Sequence, residues 1–373
     1  MASPSVIHWL RARFRPAAAG SGRPRRIDPA ETGVCAFVGP FPAGPPGQSV
    51  RVDSGLAFER DFGGAAGDGE ACLQVAQFFR NGGAVAVLLR TPDASHAALL
   101  DGLDRISAAD AAFDLLCVPD GARGADPYAV FAAAAEAAAK RQAMLLVDAP
   151  PAAADARSSG AWVDGLGSAL SRDAALYWPR LRLPSGAELG ASGSVAGVMA
   201  RTDRARGVWK APAGPEATVH GAELAGLTAA EEADALNGRR VNVLREVAGS
   251  GPVVWGARTL GGDGEDGYVP VRRLMLFLER SLRASLAWVV FEPNDEPLWG
   301  SVKAGVDGFL ADLWRKGALV GAAPRAAWFV RCDRTTMTQT DIDDGRLHLL
   351  IGVAPTKPAE FVILRLVLQA SPS

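Results

Sequence analysis

The sequence predicts a mixed α/β fold: two α/β domains flanked by extended terminal arms. Three observations carry this. Short β-rich runs alternate with helical stretches along most of the chain. Its 373 residues suit two domains of ordinary size. Both ends break the alternation, the first being arginine-rich and the last an apolar strand set off by prolines.

Residues 1–30 hold Arg11, Arg13, Arg15, Arg23, Arg25 and Arg26 with no acid before Asp28, and Pro, Gly, Ser and Ala fill the gaps. Such a segment cannot bury enough apolar surface to fold alone. Val6, Ile7, Trp9, Leu10 and Phe14 give it a way to order against a partner. It reads as an arm docking on a neighbouring subunit, with membrane or nucleic-acid contact as the alternative.

The first domain, placed at 31–200, opens with the buried strand Val34 to Val38 between glycines. A helix over Ala71 to Phe79 stops at Asn81-Gly82-Gly83. Strands over Ala84–Leu89, Phe113–Val118 and Met144–Val147 alternate with helices over His96–Ile106 and Tyr128–Gln142, which predicts a mainly parallel sheet. Ala149 to Ser159 reads as a loop. The second domain, placed at 201–354, carries strands over Val241–Val247, Val253–Ala257 and Trp288–Phe291. Its helix over Val269–Leu286 is followed by another from Pro297 to Gly317, capped by Asp295. Strands over Ala327–Cys332 and Leu347–Val353 finish the sheet.

Residues 355–373 form the second arm. Pro355 and Pro358 cannot donate to a ladder, and Phe361, Val362, Ile363, Leu364, Arg365, Leu366, Val367 and Leu368 follow as a strand nearly without polar faces. Eight extended residues reach roughly 26 Å at ~3.3 Å each. A free strand of this kind is aggregation-prone, so its backbone must pair. Addition to another subunit's sheet edge satisfies it, and these eight residues are the expected subunit interface. Closing its own domain's sheet is the alternative; the two prolines favour donation by turning the strand away from the one before it.

Composition removes several classes. With 39 basic and 41 acidic residues the net charge is -2, which does not suit a nucleic-acid partner. No apolar run reaches membrane-spanning length and the N-terminus has no signal-peptide core, so neither membrane insertion nor export is expected, and the cytosol is the expected compartment. Cys35, Cys72, Cys117 and Cys332 form no CxxC pair and read as buried free thiols.

No motif assembles an active site. Gly262-Asp263-Gly264-Glu265-Asp266-Gly267 matches GxGxxG, but its three carboxylates would repel a phosphate and Pro270 stands before the next helix. Asp341, Asp343 and Asp344 precede Gly345, which falls one position early for a calcium loop, so a turn is expected. His8, His96, His220 and His348 lack zinc-site spacing. There is no GxSxG elbow and no Walker loop. Glu292, Asn294, Asp295 and Glu296 match a carboxylate-rich helix start rather than a glycosidase pair. No catalytic residue, metal ligand or cofactor is expected.

Longer strings are more specific. Arg201-Thr202-Asp203-Arg204 with Gly207-Val208-Trp209-Lys210-Ala211-Pro212, Val254-Trp255-Gly256-Ala257-Arg258-Thr259-Leu260, and Tyr268-Val269-Pro270-Val271-Arg272-Arg273-Leu274 occur in order. Trp288 to Trp299, Cys332 to Gln339 and Gly352 to Val362 follow. Together they resemble the corresponding blocks of contractile phage tail sheath proteins, and the chain is identified as a member of that family. The resemblance implies a structural subunit that stacks as six-subunit rings around an inner tube and shortens to drive that tube through a target envelope. It implies as partners other copies of itself, the inner tube, the baseplate and tail-terminator or cap proteins. It implies assembly in a bacterial cytoplasm and a place in a phage tail or phage-tail-like injection particle. A different tail or baseplate component, or an α/β enzyme, is the alternative.

Overall fold

A computed structural model of the chain describes residues 25–64, 69–124, 126–166, 172–226, 235–261, 267–356 and 362–370, the side chains at 362–365 excepted. Two compact units result, one of residues 31–276 and one of residues 277–373 with the N-terminal 30. The boundary expected between 200 and 201 falls inside a continuous helix, so the structure draws the division elsewhere.

The larger unit runs β1 (Val34–Gly39), β2 (Ser49–Val52), α1 (Gly55–Phe62), α2 (Glu70–Arg80), β3 (Val85–Arg90), α3 (His96–Ala108), β4 (Leu115–Cys117), α4 (Pro127–Lys140) and β5 (Met144–Asp148). It continues with α5 (Ala156–Leu166), β6 (Ala174–Trp178), the short β7 (Leu181–Arg182) and β8 (Glu188–Leu189), α6 (Ser192–Arg206), β9 (Glu223–Leu224), β10 (Val241–Val247) and β11 (Gly251–Val254). α7 (Val269–Ser285) follows.

Eight strands form one sheet in the order β11-β10-β6-β5-β4-β1-β3-β2. The inner pairings are parallel, and β2 and β11 are antiparallel at the two edges. β1 lies mid-sheet, which explains its unbroken apolar run: a strand covered on both faces needs no polar alternation. Val34, Ala36 and Val38 face one core with Leu103 and Phe131, while Cys35 and Phe37 face the other with Phe78 and Val195. Helices α3, α4 and α5 cover the first face, and α1, α2 and α6 the second.

Local rules place most helices. Asp126 accepts the Ala129 N–H at 3.1 Å and Pro127 opens α4, whose alanines favour helix. α2 ends where Gly83 N–H reaches the Phe78 carbonyl at 2.9 Å. The loop expected over 149–159 gives way to α5 from Ala156. All four cysteines are free and buried.

α6 is one element that period-based reading does not find, as are β2 and β6. Residues 192–200 are buried on every side, so no polar face marks the helical period. Small residues allow this: a Cβ at Gly193 would strike the Gln74 carbonyl, and one at Gly197 the Phe78 carbonyl, so α6 packs backbone-close on α2.

The smaller unit follows the end of α7 with a 3-10 turn over Ala287–Phe291, α8 (Glu296–Arg315), the single turn α9 (Pro324–Ala327), β12 (Trp328–Arg331), α10 (Gln339–Asp343), β13 (Arg346–Val353) and β14 (Val362–Gln369). The strand expected at Trp288–Phe291 is that 3-10 turn. The Val289 N–H bonds the Leu286 carbonyl and the Glu292 N–H the Val289 carbonyl, and only Val289 is fully buried. A four-residue apolar run carries no period with which to separate the two conformations. Residues 25–30 run beside α7, where Asp28 and Ala30 N–H donate to Ser285 and Ser281 Oγ at 3.0 and 2.9 Å, and Arg25 lies over the Trp288 ring at 4.6 Å. That part of the expected N-terminal arm docks on its own chain; the rest lies outside the described residues.

The α2–α6 contact yields a test. Gly197→Ala is expected to lower unfolding free energy by about 1–3 kcal/mol, since neither backbone can give way without repacking. Equilibrium urea unfolding measures it, and an unchanged midpoint would refute the close approach.

Candidate assembly surface and its buried supports

The expected interface strand is β14. It pairs antiparallel with β13 of the same chain in a continuous register from Arg346↔Gln369 to Val353↔Val362. The expectation that the strand turns away from its predecessor is corrected: β13 and β14 form one ladder, with Pro355 bridged to Leu319 and residues 357–361 outside the described residues. Phe361 lies outside the described residues. Leu366 and Leu368 are buried, Val367 is half-buried, and Val362, Ile363, Leu364 and Arg365 are described by backbone alone. Leu368 stands opposite Leu347 and Leu366 opposite Leu349, on the buried side of the sheet with Ile351 and Val353. Strand order is β12-β13-β14, so β14 is an edge strand with one side of its backbone paired among the described residues.

α8 supports this sheet. Asp295 caps it by accepting the Leu298 N–H at 2.9 Å, and Leu298, Val302, Val306, Phe309 and Leu313 line its buried face. Trp328 of β12 donates its indole N–H to Asp307 at 3.1 Å. Asn294 is buried; its Oδ1 accepts the Trp299 indole N–H at 2.8 Å and its Nδ2 reaches the Ile342 and Arg346 carbonyls at 3.3 and 3.4 Å. The acidic run 292–296 therefore serves a helix start and a buried amide bridge. Asp341 forms a capping box with Thr338 on α10, and Gly345, at φ 68°, turns that helix into β13. The GxGxxG string lies outside the described residues except for Gly267.

In the larger unit the shared sequence blocks meet as buried ion pairs. Arg273 on α7 donates to Asp203 of α6 at 2.9 and 2.6 Å and to Asp114 at 2.7 Å, all with side chains at most 3% exposed. Asp114 also accepts the Val34 N–H at 2.7 Å. Burial pushes the Asp203 carboxyl up against the pull of Arg273, and burial opposes the Arg273 charge while the two carboxylates hold its proton more firmly than usual. Arg272 pairs with Asp173. The blocks at 201–204 and 268–274 thus hold α6, α7 and the start of β4 together. Nothing local in the sequence couples Arg273 to Asp114, 159 residues away.

Doubly wound enzymes bind ligands where the parallel strands end and strand order reverses. Here Asp148 at the end of β5, with Arg123 and Arg180 beyond β4 and β6, meets Glu70 at the start of α2. Arg180 donates to both Glu70 oxygens at 2.8 Å and to the Ala149 carbonyl at 3.1 Å, and Arg123 also pairs with Glu70. That crevice is filled by the protein's own side chains. Among the described residues no helix is long and apolar enough to cross a membrane.

Residues 93–260 match the phage tail sheath protein central domain and residues 267–369 the phage tail sheath C-terminal domain. A chain in the baseplate of the anti-feeding prophage is 30% identical, covering 96% of this chain and 99% of that one with a TM-score of 0.75. The chain belongs to the phage tail sheath family. The helical sheath of the anti-feeding prophage in its contracted state is also 30% identical, with a TM-score of 0.73 and the same coverage. The sheath of the extracellular contractile injection system PVC, contracted, is 26% identical over 97% of this chain and 98% of that one, with a TM-score of 0.76. The tail sheath protein of Vibrio phage KVP40 is 28% identical over 179 residues, 47% of this chain and 26% of the phage protein.

The buried ion cluster of this sheath-family chain is expected to be costly to break on one side. Arg273→Met strands two buried carboxylates and should remove about 3–5 kcal/mol of stability in equilibrium unfolding. A loss under about 1 kcal/mol would mean water reaches the site.

Proposed function

We propose that the chain is the sheath subunit of a contractile, phage-tail-like particle, assembling as stacked six-subunit rings around an inner tube and shortening to drive that tube through a target envelope. The observation that carries this is similarity along nearly the whole chain to two sheaths solved in contracted states. The role is structural rather than catalytic. Its partners are further copies of itself, the inner tube, the baseplate and terminal cap proteins, with assembly in a bacterial cytoplasm.

Residues 361–368 supply the link between subunits in this reading. The β13–β14 ladder can form equally with β13 of a neighbour, because the same residues meet at the same register and exchange of an identical element costs little. Residues 354–361 join the two strands and span at most roughly 26–29 Å when extended, enough for a strand to leave one sheet for an adjacent one. Subunits then move as rigid bodies while the linkers stay attached.

Two variants test this. Truncation after Pro358 is expected to abolish sheath formation, read by negative-stain electron microscopy, but it also uncovers Leu347 and Leu349. Deleting residues 356–359 keeps the strand and shortens its reach, so a folded, cooperatively melting monomer without sheaths is the expected result. Long hollow cylinders from either variant would refute the strand link.

A second reading, a baseplate component, is favoured by matches to chains in anti-feeding prophage baseplate structures. It predicts that the wild-type protein gives short caps or single rings, never extended cylinders.

A further inference from the structure

At the end of β5, Asp148 is 1% exposed and its two oxygens have different surroundings. Oδ1 accepts the Ser192 N–H at 2.8 Å, at the start of α6. Oδ2 lies 2.8 Å from Gln74 Nε2 on α2 and 2.7 Å from Ser192 Oγ. The same Ser192 Oγ lies 2.7 Å from Gln74 Oε1.

The orientation of the Gln74 amide is fixed. Its Oε1 accepts the Gly193 N–H at 3.1 Å, and its Nε2 faces Glu70 Oε1 at 3.1 Å as well as Asp148. A flipped amide would set its NH2 group against the Gly193 N–H and its oxygen against two carboxylates. Gln74 Oε1 is therefore an acceptor, and Ser192 Oγ touches two acceptors with one hydrogen to give. A hydroxyl cannot serve both. The missing hydrogen has one place to come from.

We infer that Asp148 folds as a neutral carboxylic acid whose proton, on Oδ2, is donated to Ser192 Oγ, which donates in turn to Gln74 Oε1, so that one proton closes a clasp joining β5, α2 and α6. Without that proton, either Oδ2 or Oε1 meets a hydroxyl lone pair at hydrogen-bond distance, at a site that water does not reach. The fit leaves no room for relaxation: a Cβ at Gly190 would strike the Asp148 carboxyl, and one at Gly193 the Gln74 backbone.

The surrounding charges agree. The groups facing Asp148 are Glu70 on α2 and Arg180 beyond β6, with Asp120 and Arg123 of the loop after β4 around Glu70. Glu70 takes both arginines, and Arg180 gives its other arm to the Ala149 carbonyl. Two arginines stand beside three carboxyls, Glu70, Asp120 and Asp148, so one negative charge is left over when all three are ionised, and protonation of Asp148 removes it. Burial, then the charge of Glu70, pushes the Asp148 carboxyl up to about 6. Asp120 is pushed to about 6 by the same two causes in the same order. A carboxyl raised in the folded state binds a proton that the unfolded chain does not, so stability rises as pH falls from about 7 toward about 4 and is lost as pH climbs through about 6. The clasp is a pH-sensitive element inside the larger unit.

Infrared difference spectra of the full chain between about pH 5 and about pH 8 test it through the protonated-carboxyl stretch, with thermal melts beside them. The protonated-carboxyl band at the acid end is expected to shrink in Asp148→Asn while Asp120 still contributes to it, and in an Asp120→Asn background the component that remains is the one Asp148→Asn removes. Ser192→Ala removes the proton's acceptor and leaves every charge in place, so the midpoint of the band should move down by about half to one pH unit. Acid stabilisation in the melts should shrink in Asp148→Asn relative to the wild type. A band that survives unchanged in Asp148→Asn, or a midpoint unmoved by Ser192→Ala, overturns the assignment.

Discussion

A carboxylate folded away from water has to find its donors inside the protein, and the larger unit is arranged around that requirement. Asp114 and Asp203 share Arg273, Asp173 takes Arg272, and Glu70 takes Arg123 and Arg180. Each pair joins elements distant in sequence, so α2, α6, α7 and the ends of β4 and β6 are tied to one another by charge as well as by packing. Buried ion pairs add little net stability compared with apolar packing, but they penalise any arrangement that separates the partners. For a protein of an assembling family that is a useful bias, because a body held in one arrangement can be moved as a unit.

The same account explains why the strings shared with tail sheath proteins are rich in charge. Asp203 and Arg273 are charged because they neutralise each other. Asn294 is polar because it bridges the Trp299 indole to two backbone carbonyls. Glu70 and its arginines fill the crevice where a doubly wound enzyme would receive a ligand.

At the other end of the chain the relevant quantity is the second edge of a strand. β14 satisfies one side of its backbone on β13 and buries Leu366 and Leu368, while its place at the sheet margin keeps the other side available among the described residues. A ladder whose partner is an identical strand in every copy does not distinguish its own β13 from a neighbour's. In the proposed assembly, linker length and the local concentration of copies would decide between them.

Legible from sequence alone were the alternating α/β plan, the parallel strands β1, β3, β4 and β5, and helices with strong end signals or composition, such as α2 before Asn81-Gly82-Gly83, the alanine-rich α4 and α8 after Asp295. These rest on local chemistry: caps, fixed φ angles and unbroken apolar runs. Only the tertiary structure decided the rest. α6 escaped because a helix buried all round has no amphipathic period, and the run Trp288–Phe291 lies in a 3-10 turn rather than a strand because four apolar residues carry no period to read. The division between units moved from 200 to 276 because compactness depends on contacts across the chain, not on composition along it. The proton assigned to Asp148 was beyond reach for the same reason: it follows from three oxygens brought together from β5, α2 and α6, and no stretch of sequence contains all three.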